Sequence, residues 1–289
     1  MKIQENIPLG PKTTMRIGGT AAYYTELYSK KDCEEAFEYA KDNNLKLVVI
    51  GGGSNTIFAN GVIDALIVRL KGNEVKIDEE KVYVQAGKNL PMLINELAKE
   101  GMDLSALTGI PGSMGGAVIG NAGQGPEGIW IDSYIESVTI FTDGLFKIIS
   151  KDECNFKYRE SIFKNIDLPV IIWEATLVIP SNNPEEIKNK IESLLKKRIE
   201  TQPHTKTAGS CFKAKDDVPA WKLIDEAGLR GRKEGGICIS EKHANFLINE
   251  KDGTYKDAVS LVESVQSYMK NPLEVEMRFV KNDGCIEFP

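Results

Sequence analysis

Three short stretches of this 289-residue sequence gather side chains able to hold an anion or move a proton. CNFKYRESIFK (154–164) sets Tyr158, Arg159 and two lysines among aromatics. KTAGSCFK (206–213) places Ser210 and Cys211 directly after a glycine, between Lys206 and Lys213. LEVEMRF (273–279) alternates, so Glu274 and Glu276 share one face of an extended segment. Each also has a plain structural reading. The first reads as an amphipathic strand with a solvated basic face, the second as a capped turn entering a strand, the third as an ordinary strand. A thiol between lysines suggests a thiolate nucleophile. No second cysteine or histidine stands at a spacing to serve it, so Cys211 reads as a packing residue. His243, in SEKHANF, reads as a structural hydrogen-bonder.

Two further stretches ask for a ligand that approaches bare backbone. IPGSMGGAVIGNAGQGP (110–126) is crowded with glycine, holds two prolines and has no charged residue. Glycine gives up the most backbone freedom on folding and proline lacks a donor, so this is neither a good helix nor a good strand. VVIGGGSNTIF (48–58) runs an apolar strand into Gly51, Gly52 and Gly53. Backbone N–H groups bared after a strand form a nest for phosphate oxygens, with the Ser54 hydroxyl and Asn55 amide as further donors. The loop has neither the Lys-Ser/Thr of a triphosphate loop nor Gly-x-Gly-x-x-Gly. With Pro111, Gly112, Ser113, Gly115, Gly116, Asn121 and Gly123, it reads as half of a cradle for a pyrophosphate with nucleoside arms. An FAD-sized cofactor fits, on something other than a Rossmann fold.

The elements that must position these groups follow from local patterns. SKKDCEEAFEYAKDN (29–43) reads as a helix capped by Ser29 with Asp32 three residues on, and Cys33, Ala36, Phe37 and Ala40 on one face. LKLVVI, ALIVRL (65–70) and KVYVQAG (81–87) read as strands, and LPMLINELAKEG (90–101) as a helix. YIESVTIFT (134–142), Asp143-Gly144 and LFKIIS (145–150) make a hairpin, and PVIIWEATLVIP (169–180) a long apolar strand. SNNP (181–184) opens a helix whose Ile187, Ile191, Leu194 and Leu195 lie on one side and whose KKR (196–198) suits a helix end. Beyond it, helices at 218–228 and 254–269 flank a strand at 244–249, an α+β unit of about 80 residues.

Composition narrows the class. A net charge of −6 argues against a nucleic-acid partner. The N-terminus has no signal-peptide core, and no apolar run nears the roughly 20 residues that span a membrane. Five scattered cysteines without Cys-x-x-Cys read as reduced thiols in a cytoplasmic protein, and two histidines make a metal site improbable. Oligomeric state stays open.

Taken in order, MRIGG, GGGSN, PGSMGG with NAG, YRESIFK, KKRIETQP, AGSCFK, LIDEAGLRG, SEKHANFLIN and LEVEMRF give the chain its family likeness. It resembles the bacterial UDP-N-acetylenolpyruvoylglucosamine reductase family over nearly its whole length, in the shorter form without an extra tyrosine-bearing loop. The resemblance implies an α+β chain, with a two-part FAD-binding module of the vanillyl-alcohol-oxidase (PCMH) type and a C-terminal α+β substrate domain. The parts fall at 1–65, 66–182 and 183–270, with about 271–289 returning to the first. It implies non-covalent FAD and NADPH as co-substrate, in reduction of UDP-N-acetylglucosamine enolpyruvate. Hydride reaches the vinyl terminal carbon through the flavin, Arg159 and Glu276 stabilise or orient the resulting enolate, and Ser210 donates the proton. Tyr158 and Lys213 hold substrate. Two positions depart from the family pattern: Ala214 stands where asparagine or arginine is frequent, and GQGPEGIW follows NA in place of GAYG. Two other readings stay open, an alcohol-oxidising flavoenzyme of the same fold and a non-enzymatic flavin-binding regulator.

Overall fold

The computed structural model describes residues 1–124, 128–164 and 169–289; residues 125–127 of the departing segment lie outside them. The chain forms two compact units. One comprises 1–2, 25–52 and 67–198, the other 3–24, 53–66 and 199–289. The chain passes from one to the other within strands Thr20–Leu27 and Val62–Leu70 and within helix Pro184–Thr201.

The first unit is built on an antiparallel five-stranded sheet. Its order is Leu145–Ser150, Ile135–Thr142, Ile171–Val178, Lys81–Gln85, Val75–Asp78. The outer hairpin closes on Thr142 opposite Leu145, which forces two turn residues with positive φ. Asp143 (φ 52°) and Gly144 (φ 74°) supply them, as Asp-Gly does in primed turns. Helix Lys30–Asp42 begins with the expected box: the Ser29 hydroxyl accepts from Asp32 N, and the Asp32 carboxylate accepts from Ser29 N. Its Cys33, Ala36 and Ala40 are buried. Helix Leu90–Lys99 is capped by Asn89 and ends before Gly101 at φ 74°. In helix Pro184–Thr201 only Ile187 and Ile191 of the expected apolar side are buried, and Leu195 is exposed. Leu195 lies furthest round the helix from Ile187 of those four, so burying the first two leaves it at the rim.

The second unit carries a sheet ordered Thr207–Ser210, Phe246–Asn249, Ile237–Ile239, Lys233–Glu234. Helices Ala220–Glu226 and Tyr255–Tyr268 contribute to its core. Thr254 and Asp257 form a second capping box. Strand Arg278–Val280 pairs in parallel with Thr56–Phe58, bringing the C-terminal segment beside the chain that follows the glycine triplet. Met15, Ile57, Phe212, Leu261, Val265, Met277 and Phe279 share one buried cluster.

Candidate active site

In the first unit the two glycine-rich loops meet. Strand Lys46–Ile50 leads into Gly51, where an added β-carbon would lie 2.2 Å from Ser113 Oγ. At Gly52 it would lie 2.7 Å from Gly112 Cα, so neither site admits a side chain. Ser113 caps the short helix Met114–Ile119, its Oγ accepting from Gly116 N at 3.4 Å. Gly115 N donates to Ala86 O at 2.9 Å, and a β-carbon there would press on Ala86 Cβ. The Gly115 and Gly116 amides are thus committed to protein acceptors, and Gly115 answers a packing demand. A different face of this helix, at exposed Gly116 and half-buried Gly120, is open among the described residues. Among the described residues, a β-carbon would meet only Ser113 Oγ at 3.6 Å from Gly116, and only Gly116 O at 3.5 Å from Gly120. That strip of open backbone fits a long, flat cofactor. In the second unit, Gly53 (φ 68°) abuts Lys12 O, and Thr14 N donates to Gly53 O at 3.0 Å.

The Arg159 side chain comes from a turn and not from the strand that alternation allows. Lys157 and Glu160 exchange backbone hydrogen bonds at 3.0 Å, and Arg159 sits between them at φ 57°. Left-handed backbone costs an L-residue about 1–2 kcal/mol, so the surroundings must hold it. Buried Asn121 does part of this: its Nδ2 donates to Lys157 O at 3.0 Å and its Oδ1 accepts from Asp132 N at 3.2 Å. Ser161 Oγ donates to Ile119 O at 2.7 Å, and Lys164 Nζ to Arg159 O at 2.5 Å. Asn121 therefore ties the glycine-rich segment to the Arg159 turn. Its neighbour Gly123 pairs with Trp130, and a β-carbon there would strike the indole at 2.3 Å.

Two side chains that sequence reading did not single out for the site bear on Arg159, one by contact and one by charge. The Trp130 ring centroid lies 5.1 Å from Arg159 Cζ and 5.3 Å from the Tyr158 ring, edge to face. Arg198, assigned from sequence to a helix end, does lie in the last turn of its helix, yet it is buried enough to hold its guanidinium down to about 10. The positive charge of Arg159 pushes the same way. Its Nη1 donates to Thr108 O at 3.4 Å, and its Cδ would lie 2.5 Å from a β-carbon at Gly109 (φ 80°). Two guanidiniums within each other's field favour an anion beside them. The glycine at 109 was the one sequence trace of this packing.

In the second unit the fold joins two of the predicted groups. Ser210 ends strand Thr207–Ser210, and Glu276 N donates to Cys211 O at 2.7 Å. Lys213 N donates to Glu274 O at 2.8 Å, with Phe212 bridging to Val275 between them. Leu273, Val275 and Met277 are buried, so the expected alternation turns Glu274 and Glu276 to the other side. Asn245 clamps the joint. Its Oδ1 accepts from Phe212 N at 2.9 Å, its Nδ2 donates to Phe212 O at 2.8 Å, and its own carbonyl accepts from Cys211 N. Asn55 Nδ2 donates to Glu276 O at 3.1 Å, which ties that amide to the extended segment bearing the two carboxylates, just before strand Arg278–Val280. The buried Lys213 ammonium pairs with Glu274. His243 Nδ1 accepts from Asn245 N at 3.3 Å, a structural contact beside the clamp.

Cys211 is 1 % exposed, and burial, then the charge of Glu276, pushes its thiol up. A thiol held neutral is no nucleophile. Cys211→Val is expected to keep most of the protein's activity. Complete loss of activity in folded protein would show otherwise.

Among the described residues no group of three or more His, Cys, Asp or Glu could hold a metal, and no helix is long and apolar enough to cross a membrane. Comparison with known proteins adds two family models. One described as an FAD binding domain matches residues 21–144, and one described as the C-terminal domain of UDP-N-acetylenolpyruvoylglucosamine reductase matches 202–279. The chain is similar to the reductase of that name from Carboxydothermus hydrogenoformans, at 36% identity over 95% of this chain and 91% of that one. It is 35% identical to the Aquifex aeolicus reductase, over 98% of this chain and 97% of that one. The crystal structure of the Thermus caldophilus reductase superposes with a TM-score of 0.84 at 32% identity, covering 96% of this chain and 99% of that one. The α+β reading, an FAD-binding module followed by a C-terminal domain, holds.

Proposed function

Because the chain belongs to the UDP-N-acetylenolpyruvoylglucosamine reductase family, we propose that Arg159, Ser210 and Glu276 are the groups with which it performs that family's reaction. The protein is an FAD-dependent oxidoreductase. It reduces UDP-N-acetylglucosamine enolpyruvate to UDP-N-acetylmuramate with NADPH, in peptidoglycan precursor synthesis. FAD, when bound, supplies the hydride chemistry between the two substrates. Gly51, Gly52, Gly53, Ser54 and Asn55 on one loop, and Pro111, Gly112, Ser113, Gly115, Gly116, Asn121 and Gly123 on the other, hold it by direct contact or by shaping the backbone. The bare strip at Gly116 and Gly120 supports this.

Addition of hydride to the vinyl terminal carbon leaves negative charge on its neighbour and on the carboxylate. Arg159 receives that charge, because a guanidinium stays protonated and offers a planar fork to a carboxylate. Ser210 donates its hydroxyl proton to the carbon, and Glu276 orients the group that develops charge. The observation that carries this assignment is the hydrogen bond from Glu276 N to Cys211 O. It joins the extended segment that carries Glu276 to the end of the strand that carries Ser210, 66 residues apart in sequence. Tyr158, against Trp130, and Lys213, against Glu274, serve as substrate contacts. The division into parts at 1–65, 66–182 and 183–270, with the return of 271–289, belongs to the same proposal. A cytoplasmic setting fits the free cysteines, four of them buried.

The visible spectrum of purified protein tests the function. NADPH should bleach the flavin bands without air, and the enolpyruvyl nucleotide should restore them. NADPH turnover that proceeds equally without the nucleotide would favour an oxidase. Protein that stays colourless after FAD addition would defeat every flavin reading.

A further inference from the structure

We infer that Trp130 is a positioning residue for Arg159, its indole face setting the direction in which the guanidinium fork points. This rests on the reading of Arg159 given above. Arg159 Cζ lies 5.1 Å from the Trp130 ring centroid, inside the roughly 6 Å reach of a cation–π contact. Trp130 is itself fixed through its backbone, its ring and the two residues that follow it. It pairs with Gly123, whose missing β-carbon lets the ring lie over the backbone. The next residue, Ile131, donates its N–H to Ala122 O at 2.8 Å, and Asp132 donates to Asn121 Oδ1 at 3.2 Å. Tyr158 meets the ring edge to face at 86°. The same Asn121 holds the backbone of the Arg159 turn through Lys157 O. Asn121 thus fixes the turn's backbone, while Trp130 holds the side chain that leaves it.

A second cation, Arg198, lies within the field of Arg159. The charge of Arg159 reaches half-buried Arg198, and an indole face is an electrostatically favourable seat for the Arg159 guanidinium. Without the indole, Arg159 keeps its charge and loses its aim. Only the step that develops charge on the enolpyruvyl group should then suffer.

The test uses FAD-loaded protein and stopped-flow measurement of each half-reaction. Trp130→Leu is expected to slow flavin reoxidation by the enolpyruvyl nucleotide about tenfold, within the range of one cation–π contact, with reduction by NADPH within about twofold. Trp130→Phe keeps an aromatic face and should recover most of that loss, which a role in bulk packing or indole N–H bonding would not produce. In an Arg159→Lys background, Trp130→Leu should add little, because the two act as one unit. Should Trp130→Leu fail to hold FAD, tryptophan emission serves. Arg159→Met should shift the component of emission that Trp130→Phe removes. Normal reoxidation in Trp130→Leu, equal slowing in Trp130→Phe, or emission indifferent to Arg159→Met each overturn the inference. If Arg159→Lys itself reoxidises normally, the reading of Arg159 fails and the inference falls with it. If Arg159→Lys is slow and Trp130→Leu is not, only the inference falls.

Discussion

Arg159→Lys is expected to bind FAD and accept electrons from NADPH, yet to be reoxidised by the enolpyruvyl nucleotide some 10²–10³ times more slowly. That is the range for loss of one preorganised donor to developing charge. Lysine keeps the positive charge, so the loss would measure the planar fork and its direction. The structure sharpens this expectation. Arg159 sits at φ 57° in a turn braced by Asn121, Ser161 and Lys164, and all three braces act through backbone atoms of this region. A lysine at 159 inherits the same backbone, so the fold should survive and the effect should be chemical. The measurement is the rate of recovery of the flavin band after anaerobic reduction. Near-normal recovery would remove Arg159 from the mechanism.

Ser210→Ala should separate the two half-reactions. Reduction by NADPH needs no proton from this hydroxyl and should proceed at close to the wild-type rate. Reoxidation should slow by roughly 10² or more, the usual contribution of a positioned general acid. Ser210→Cys should restore part of the rate, since a thiol is the stronger acid. The competing reading makes Ser210 a turn cap, whose loss would cost about 1 kcal/mol of stability and spare both steps. The fold weakens that alternative, because the turn's side-chain bond is made by Thr207, whose Oγ1 accepts from Gly209 N at 3.3 Å. Equal slowing of both half-reactions, or of neither, would defeat the proton-donor assignment.

What the sequence determined by itself about this protein is what neighbours along the chain decide. A serine and an aspartate three residues apart make the capping box at Ser29, and the same rule reads Thr254 with Asp257. Asp143-Gly144 makes the hairpin because only such residues take two successive positive φ values cheaply. The alternation of 273–277 sends Glu274 and Glu276 to one side whatever packs on the other. Both glycine loops were legible because glycine at that density has few purposes but close approach. Their meeting was not, since Gly51 and Ser113 lie 62 residues apart and touch through tertiary packing alone. The same limit hid Trp130 and Arg198. Trp130 follows a glycine segment with no family motif, and Arg198 reads locally as one more cation at a helix end. Only long-range packing sets half-buried Arg198 against Gly109, lays Trp130 over Gly123 and brings the Trp130 ring to Arg159. The joint between Ser210 and Glu276 is of this kind too. It depends on Asn245 satisfying both backbone groups of buried Phe212, and an unpaired buried amide or carbonyl would cost about 1–3 kcal/mol. Short-range rules therefore chose the elements and the residue types, and the pairing of buried polar groups across distant segments set the site.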